Sequence, residues 1–349
     1  MTSPRRLSRR TLLAASALAP TALLPVAALA APGTAGPEGF RVAIATNEPW
    51  GTYHARPLLD GVATRGGELV QVVPDLAGIG ADEVVPVVTL DEVRQADVDL
   101  LVVSGATDWP WEVARALPDL AVIASSLAYL TPVEGPHADA LRPRLTEITA
   151  SSAAEAETFA VHLGVLRAGM RVVGIPELDD LPERDPEPGS VLVVTSVTRS
   201  DETGGSAPGT ELLLDAAHAL ADQGRRIRVG LHPREDSSLW SDFEIAEEGT
   251  LLASARAEVA LGIPGSVFPK IAAVGTPLVG ILGEGLDVPD YLLDLCASAR
   301  TLDEALAAVE LGEVPDRRTL RRVTGPLGRA GETWAQILFA ASRSAARGR

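Results

Sequence analysis

Short apolar runs rich in β-branched residues alternate along this chain with longer stretches of helical period. Arg41–Thr46, Glu68–Val73, Val98–Ser104, Leu120–Ser125 and Glu147–Ala150 read as strands, and Pro57–Thr64, Leu90–Gln95, Trp111–Leu117 and Ala153–Leu163 as helices or helical turns between them. Nearly continuous apolar strands separated by amphipathic helices are the pattern of a parallel sheet covered on both faces. A strand at Arg171–Val173 closes this first unit. Residues 176–189, PELDDLPERDPEPG, are proline-rich and acidic with no period, and read as a linker.

The pattern then repeats. Strand Ser190–Ser196 leads through a Gly/Ser loop into helix Thr210–Gln223, and strand Ile227–Leu231 ends in His232-Pro233. A short strand at Phe243–Ala246, a helix at Thr250–Arg256, a strand at Val259–Gly262, a helix at Ser266–Val274 and a strand at Leu278–Leu282 follow. Helices are expected over Pro289–Ala299 and Leu302–Ala308. The fold class expected is therefore α/β, with two tandem Rossmann-like domains, 38–175 and 190–325, and a cleft between them. A last amphipathic helix, Ala330 to Ala346 within residues 326–349, places Trp334, Ile337, Leu338 and Ala341 on one side and is expected to cross back to the first domain.

The start of the chain is of another kind. Arg5, Arg6, Arg9 and Arg10 form a basic segment with no acid, Leu12 to Ala30 is apolar but broken by Pro20 and Pro25, and Ala28-Leu29-Ala30 is a small-x-small cleavage site. Ser8-Arg9-Arg10-Thr11-Leu12-Leu13 resembles the twin-arginine consensus that addresses folded proteins to their own translocase. Residues 1–30 are thus expected to be a twin-arginine signal peptide and the mature protein to be secreted or extracytoplasmic; an ordinary secretory signal is the alternative. The prolines and small residues make the segment a poor membrane span, so no stable membrane anchor is expected.

Charge and cysteine content narrow the partners. The chain carries −17 at neutral pH, and losing the four arginines of the leader takes it to −21. Such a chain repels nucleic acid and anionic lipid, so neither is an expected partner. The single cysteine, Cys296, allows no intramolecular disulfide and sits in the apolar run YLLDLCASA, where it reads as a small hydrophobe. His137, His162 and His218 have no carboxylate or histidine neighbours at metal-ligand spacing, so neither a metal nor a cofactor is expected.

Three stretches carry a family resemblance: RVAIATNEPWGTYHARPLLDGVATRGGELVQVV, LTEITASSAAEAETFAVHLGVLRAGMRVVGIPELD, and the span from SVLVVTSVTR through IRVGLHPRED to VALGIPGSVFPKIAAVGTPLVGI. Their pattern resembles the GT-B fold shared by many glycosyltransferases and by UDP-N-acetylglucosamine 2-epimerases. The third resembles the donor half of polyol-phosphate and sialyl transferases, with His-Pro after a strand and a Ser at a later helix start. The resemblance implies a glycosyl or polyol-phosphate transferase, or an epimerase-like protein, with a phosphorylated or sugar ligand in the interdomain cleft. Export argues against it, because nucleotide-activated donors are cytoplasmic. The alternative is a non-catalytic extracytoplasmic bilobal binding protein.

Candidate residues follow from topology, since ligands of open parallel sheets sit past the carboxyl ends of strands. His232 lies at such an end and reads either as a phosphate donor or as a residue satisfying loop backbone. Gly265-Ser266 reads as an anion cradle at a helix start or as a plain cap. Arg199 and Arg234 are candidates for pairing with a diphosphate, and Glu284 for accepting from ribose hydroxyls or as a surface acid. In the first unit Asn47, Trp50, Gly51 and His54 follow the first strand; His54 is a candidate general base or a solvent-facing helix-start histidine. Asp108 beside Trp109 is a candidate catalytic carboxylate with an aromatic platform for a sugar, although Trp109 and Trp111 equally suit packing.

Overall fold

The computed structural model describes residues 39–80, 82–105, 107–126, 135–199 and 207–348. The expected signal peptide, residues 1–30, lies outside them. Seven strands form the first sheet: β1 (Phe40–Thr46), β2 (Gly67–Val73), β3 (Val87–Thr89), β4 (Leu100–Ser104), β5 (Ala121–Ser126), β6 (Leu145–Ala150) and β7 (Arg171–Val172), in the order β3-β2-β1-β4-β5-β6-β7. Six form the second: β8 (Ser190–Val194), β9 (Arg226–Gly230), β10 (Glu244–Ile245), β11 (Val259–Gly262), β12 (Leu278–Ile281) and β13 (Ala297–Ala299), in the order β10-β9-β8-β11-β12-β13. Every strand pair is parallel. Strand order reverses beside β1 in one sheet and beside β8 in the other, which is where a doubly wound sheet opens a crevice.

Alternation along each strand builds two cores per sheet. In the first, Ala43, Ala45, Leu101 and Val103 face Trp111, Val113 and Phe159, while Val42, Ile44, Leu100 and Val102 face the other way. That second face is covered by Val62 of helix Leu59–Ala63 and by Trp334, Ile337 and Leu338 of helix Ala330–Gly348. The last helix of the chain therefore completes the first lobe. Asp179, in the connection between the sheets, fixes its start by accepting from the backbone N–H groups of Ala330 and Gly331, both at 2.7 Å. Two donors left over at a helix start are satisfied, and a carboxylate there is favoured by the helix dipole.

In the second lobe Val191, Val193, Leu261, Val279 and Ile281 pack on Leu213, Leu220, Trp240 and Val309, and Leu192, Val194, Ala260 and Leu278 on Phe268, Ile271 and Leu292. Ala154 of the first lobe joins this latter cluster. Polar contacts extend the seam between the lobes: Arg322 bonds Glu157 at 2.7 Å, Tyr291 donates to Glu155 at 3.4 Å, and Lys270 pairs with Glu177.

Three elements depart from the sequence reading. The helix expected over Pro289–Ala299 is helical only over Asp290–Leu293, and Ala297–Ala299 becomes edge strand β13. The open side of β12 supplies hydrogen-bond partners, with Val279 opposite Ala297, and these outweigh the helix preference of alanine. Strand β3 adds to the other edge of the first sheet. Helix Arg317–Thr324 is a further departure; Asp316 caps it, accepting from Arg318 N–H at 2.7 Å and Thr319 N–H at 3.0 Å.

Candidate functional site

Four neighbouring strands of the second sheet, β9, β8, β11 and β12, end on one edge, and the loops that leave them enclose a cleft of about 410 Å³. Thr195, Ser196 and Val197 follow β8; His232 and Arg234 follow β9; Gly265 and Ser266 follow β11; and Leu286 and Asp287 follow β12. Of the expected ligand residues, His232, Arg234, Gly265 and Ser266 are thus brought together in one lining.

The His232 loop is a hydrogen-bonded turn. Its His232 N–H donates to Thr195 Oγ1 at 2.8 Å, and Glu235 N–H returns to the His232 carbonyl at 3.0 Å. Nδ1 of His232 accepts from Arg234 N–H at 3.2 Å, which puts the proton of the neutral ring on Nε2. Glu235, buried beneath, accepts from Thr198 N–H at 2.7 Å, Thr198 Oγ1 at 2.6 Å and Trp240 Nε1 at 3.2 Å. One carboxylate thereby ties the β9 loop to the β8 loop. Thr198 in turn lies 2.9 Å, hydroxyl to hydroxyl, from Thr210 at the start of helix Thr210–Asp222. On the far wall Gly283 lets two loops touch, because a Cβ there would lie 2.4 Å from the carbonyl carbon of Pro208.

Ser266 stands two residues ahead of helix Phe268–Val274, in a turn closed by Phe268 N–H on the Gly265 carbonyl at 3.0 Å. The helix therefore begins later than the sequence reading placed it, and Ser266 contributes an exposed hydroxyl at the cleft and not a helix cap.

The remaining candidates lie elsewhere. Arg199 is 76% exposed, 3.9 Å from Asp236, and outside the lining. Glu284 is exposed, and Leu286 and Asp287 of the same loop line the cleft instead. Asp108 heads helix Asp108–Ala116 with a side chain 79% exposed, 3.9 Å from His137. Trp111 is buried in the first-lobe core, and Trp109 donates to the Val72 carbonyl at 3.1 Å, so both pack. His54 ends the turn Thr52–His54 with its ring 4.2 Å from Tyr53. Burial, with a smaller contribution from the Lys270 ammonium, pushes its pKa down to about 3. A base that weak is a poor proton acceptor near neutrality.

The first lobe reaches the cleft through a residue the sequence reading passed over. Glu48, in the loop after β1, is its one contribution to the lining among the described residues. Tyr53 donates to Glu48 Oε2 at 2.5 Å, and Glu48 Oε1 lies 3.9 Å from the Arg234 guanidinium across the cleft. Among the described residues no cluster of three or more His, Cys, Asp or Glu could hold a metal, and no helix is long and apolar enough to cross a membrane.

No protein-family model matches the chain, and no curated protein matches it in sequence. Solved structures do. The UDP-GlcNAc 2-epimerase of Methanocaldococcus jannaschii, in complex with UDP-GlcNAc and UDP, is 13% identical with a TM-score of 0.56, over 86% of this chain and 100% of that one. The wall teichoic acid polymerase TagF is 10% identical with a TM-score of 0.59, over 87% of this chain and 89% of that one. The UDP-GlcNAc 2-epimerase of Neisseria meningitidis bound to UDP-GlcNAc is 10% identical with a TM-score of 0.54, over 86% and 99%. The fold is accordingly GT-B-like, two Rossmann-like α/β domains in tandem.

Proposed function

We propose that this protein is a GT-B-like transferase or epimerase-like enzyme that takes a nucleoside diphosphate joined to a sugar or polyol in the cleft. The observation that carries the proposal is the convergence of His232, Arg234 and Ser266 at the carboxyl ends of adjacent strands. Nε2–H of His232, the Arg234 guanidinium and the Ser266 hydroxyl are donors suited to phosphate oxygens, and charge-assisted bonds of that kind contribute ~1.5–3 kcal/mol each. The UDP-GlcNAc bound to two proteins of similar fold supports the same ligand class. Titration calorimetry of the purified protein with UDP, UDP-GlcNAc, ADP and ADP-glucose tests it. Binding of at least one, lost on His232→Ala, is the expected result; no heat with any of the four overturns it.

A second reading has its own support. His54 and Asp108, the two catalytic groups expected in the first lobe, both stand outside the cleft lining, which favours a bilobal protein that binds such a ligand without turning it over. Release of free UDP from UDP-GlcNAc, or its epimerisation, separates the readings.

Export is proposed as well, and it favours the second reading, because nucleotide-activated donors are cytoplasmic. Arg9 and Arg10 in the string SRRTLL supply the twin-arginine signal, and replacing both with Lys is expected to stop secretion. Secretion of the double variant at the normal level would refute that route.

A further inference from the structure

Within a cleft lined by phosphate donors, Glu48 is a fixed negative charge, and its position gives it a consequence for ligand choice. We propose that Glu48 makes the cleft discriminate between nucleoside diphosphates whose terminal phosphate is esterified to a sugar or polyol and those whose terminal phosphate is free. The proposal rests on the reading of His232, Arg234 and Ser266 as the phosphate site and adds the selectivity of that site.

The geometry is specific. Tyr53 holds one Glu48 carboxylate oxygen at 2.5 Å and the other stands 3.9 Å from the Arg234 guanidinium, with the Glu48 and Arg234 side chains 26% and 20% exposed. The hydrogen bond from Tyr53 restrains the carboxylate in this position. Burial and the neighbouring Glu48 charge push the Tyr53 phenol up, so it remains a donor and never a second anion at working pH. A phosphate gripped by Arg234 is therefore brought close to the carboxylate in any productive pose.

Esterification changes what that neighbour sees. A free terminal phosphate has a second pKa near ~6 and carries close to two charges above neutral pH, while an esterified one carries a single charge. The extra charge, brought near a partly shielded carboxylate, is repelled. The esterifying sugar or polyol also brings hydroxyl groups that donate to a carboxylate, which is an acceptor only. Repulsion of one ligand and hydrogen bonding of the other act in the same direction. The cleft holds the joined ligand and lets the free diphosphate go, which is the order of affinities a transferase needs to clear its leaving group.

Calorimetric titrations of wild type, Glu48→Gln and Glu48→Asp with UDP, UDP-GlcNAc, ADP and ADP-glucose at about pH 8 test this, with thermal melts of each variant. Wild type is expected to prefer the sugar-bearing member of whichever pair binds by about tenfold or more, from repulsion of this size. Glu48→Gln should bring that ratio to within about twofold, chiefly by tighter binding of the free diphosphate, and Glu48→Asp should retain the preference. Wild type alone gives an independent check: near pH 5, where the terminal phosphate of UDP or ADP takes up its proton, the ratio should shrink. A ratio unmoved by both Glu48→Gln and pH overturns the inference and leaves the phosphate site standing. A wild type that binds none of the four ligands overturns the site and the inference together.

Discussion

The carboxylate of Glu235 lies 3.2 Å from the indole nitrogen of Trp240 and also accepts both the backbone N–H and the hydroxyl of Thr198. A single buried acid thus joins the core of the second lobe to two of the loops that line the cleft. Removing it leaves three donors without their acceptor at a cost of roughly 1–3 kcal/mol for each that stays buried. Glu235→Ala is expected to lower stability by about 2–4 kcal/mol in denaturant unfolding and to weaken UDP-GlcNAc binding, since the His232 turn loses its support. Glu235→Gln, which keeps one carbonyl acceptor, should recover part of both. A Glu235→Ala protein as stable as wild type would show that the tie is not structural.

His232 and Arg199 should behave differently. His232 lines the cleft with Nδ1 engaged by Arg234, while Arg199 is largely in solvent beside Asp236. His232→Ala is expected to weaken a phosphate-bearing ligand by about ten- to hundredfold in calorimetry. Arg199→Ala should change it by about twofold at most, because an exposed and screened charge contributes little. Equal losses in the two variants would place Arg199 back at the ligand.

Glu155 gives stability a pH dependence. Its carboxyl is buried at the seam, accepts from Ser126 and from Tyr291, and burial pushes its pKa up to about 7 against those hydrogen bonds. The folded state therefore holds the proton where the unfolded chain, titrating near ~4.3, has lost it. Stability from this group is complete below about pH 4, falls as pH rises toward 7, and is lost above it. Glu155→Gln carries no such charge, so its stability relative to wild type should improve between about pH 5 and pH 8 by an amount on the order of 2–3 kcal/mol, seen as several degrees in melting temperature. His54 works in the opposite sense. Its pKa, pushed down to about 3, makes the fold lose stability as pH falls below about 6.5, but both proteins carry His54, so this contribution cancels in the difference between Glu155→Gln and wild type. A melting-temperature difference between Glu155→Gln and wild type that does not vary with pH would refute the assignment.

The fold class was legible because parallel strands buried on both faces announce themselves, as in VLVV and LLVV. His232, Arg234, Gly265 and Ser266 were legible for a topological reason: each follows such a strand directly. β13 was not, because ASA carries no β-branched residue and becomes a strand only by completing the open edge of β12. Glu48 carries no signal in the sequence, because its place in the cleft depends on Arg234 facing it from the second lobe, a relation no local pattern encodes. The low pKa of His54 likewise arises from enclosure and from Lys270, a residue of the other lobe, so sequence neighbours could not reveal it.

Asp179 is the joint by which the last helix is attached. Asp179→Ala is expected to cost about 1–2 kcal/mol, from two charge-assisted bonds at the start of helix Ala330–Gly348 and the loss of a favourable charge there. Unfolding in urea measures it. No change in midpoint would mean that apolar packing alone holds the helix.

That helix has a consequence for how the protein is made. Trp334, Ile337 and Leu338 lie in the same apolar cluster as Val42 and Ile44 of the opening strand, so the two ends of the folded region share one core. The first lobe, although encoded first, lacks one of its covering layers until residues 330–348 have been made. Its face packed on Trp111 and Phe159 can close earlier, since those residues belong to the first lobe itself, but the Val42 and Ile44 face must wait for the last helix.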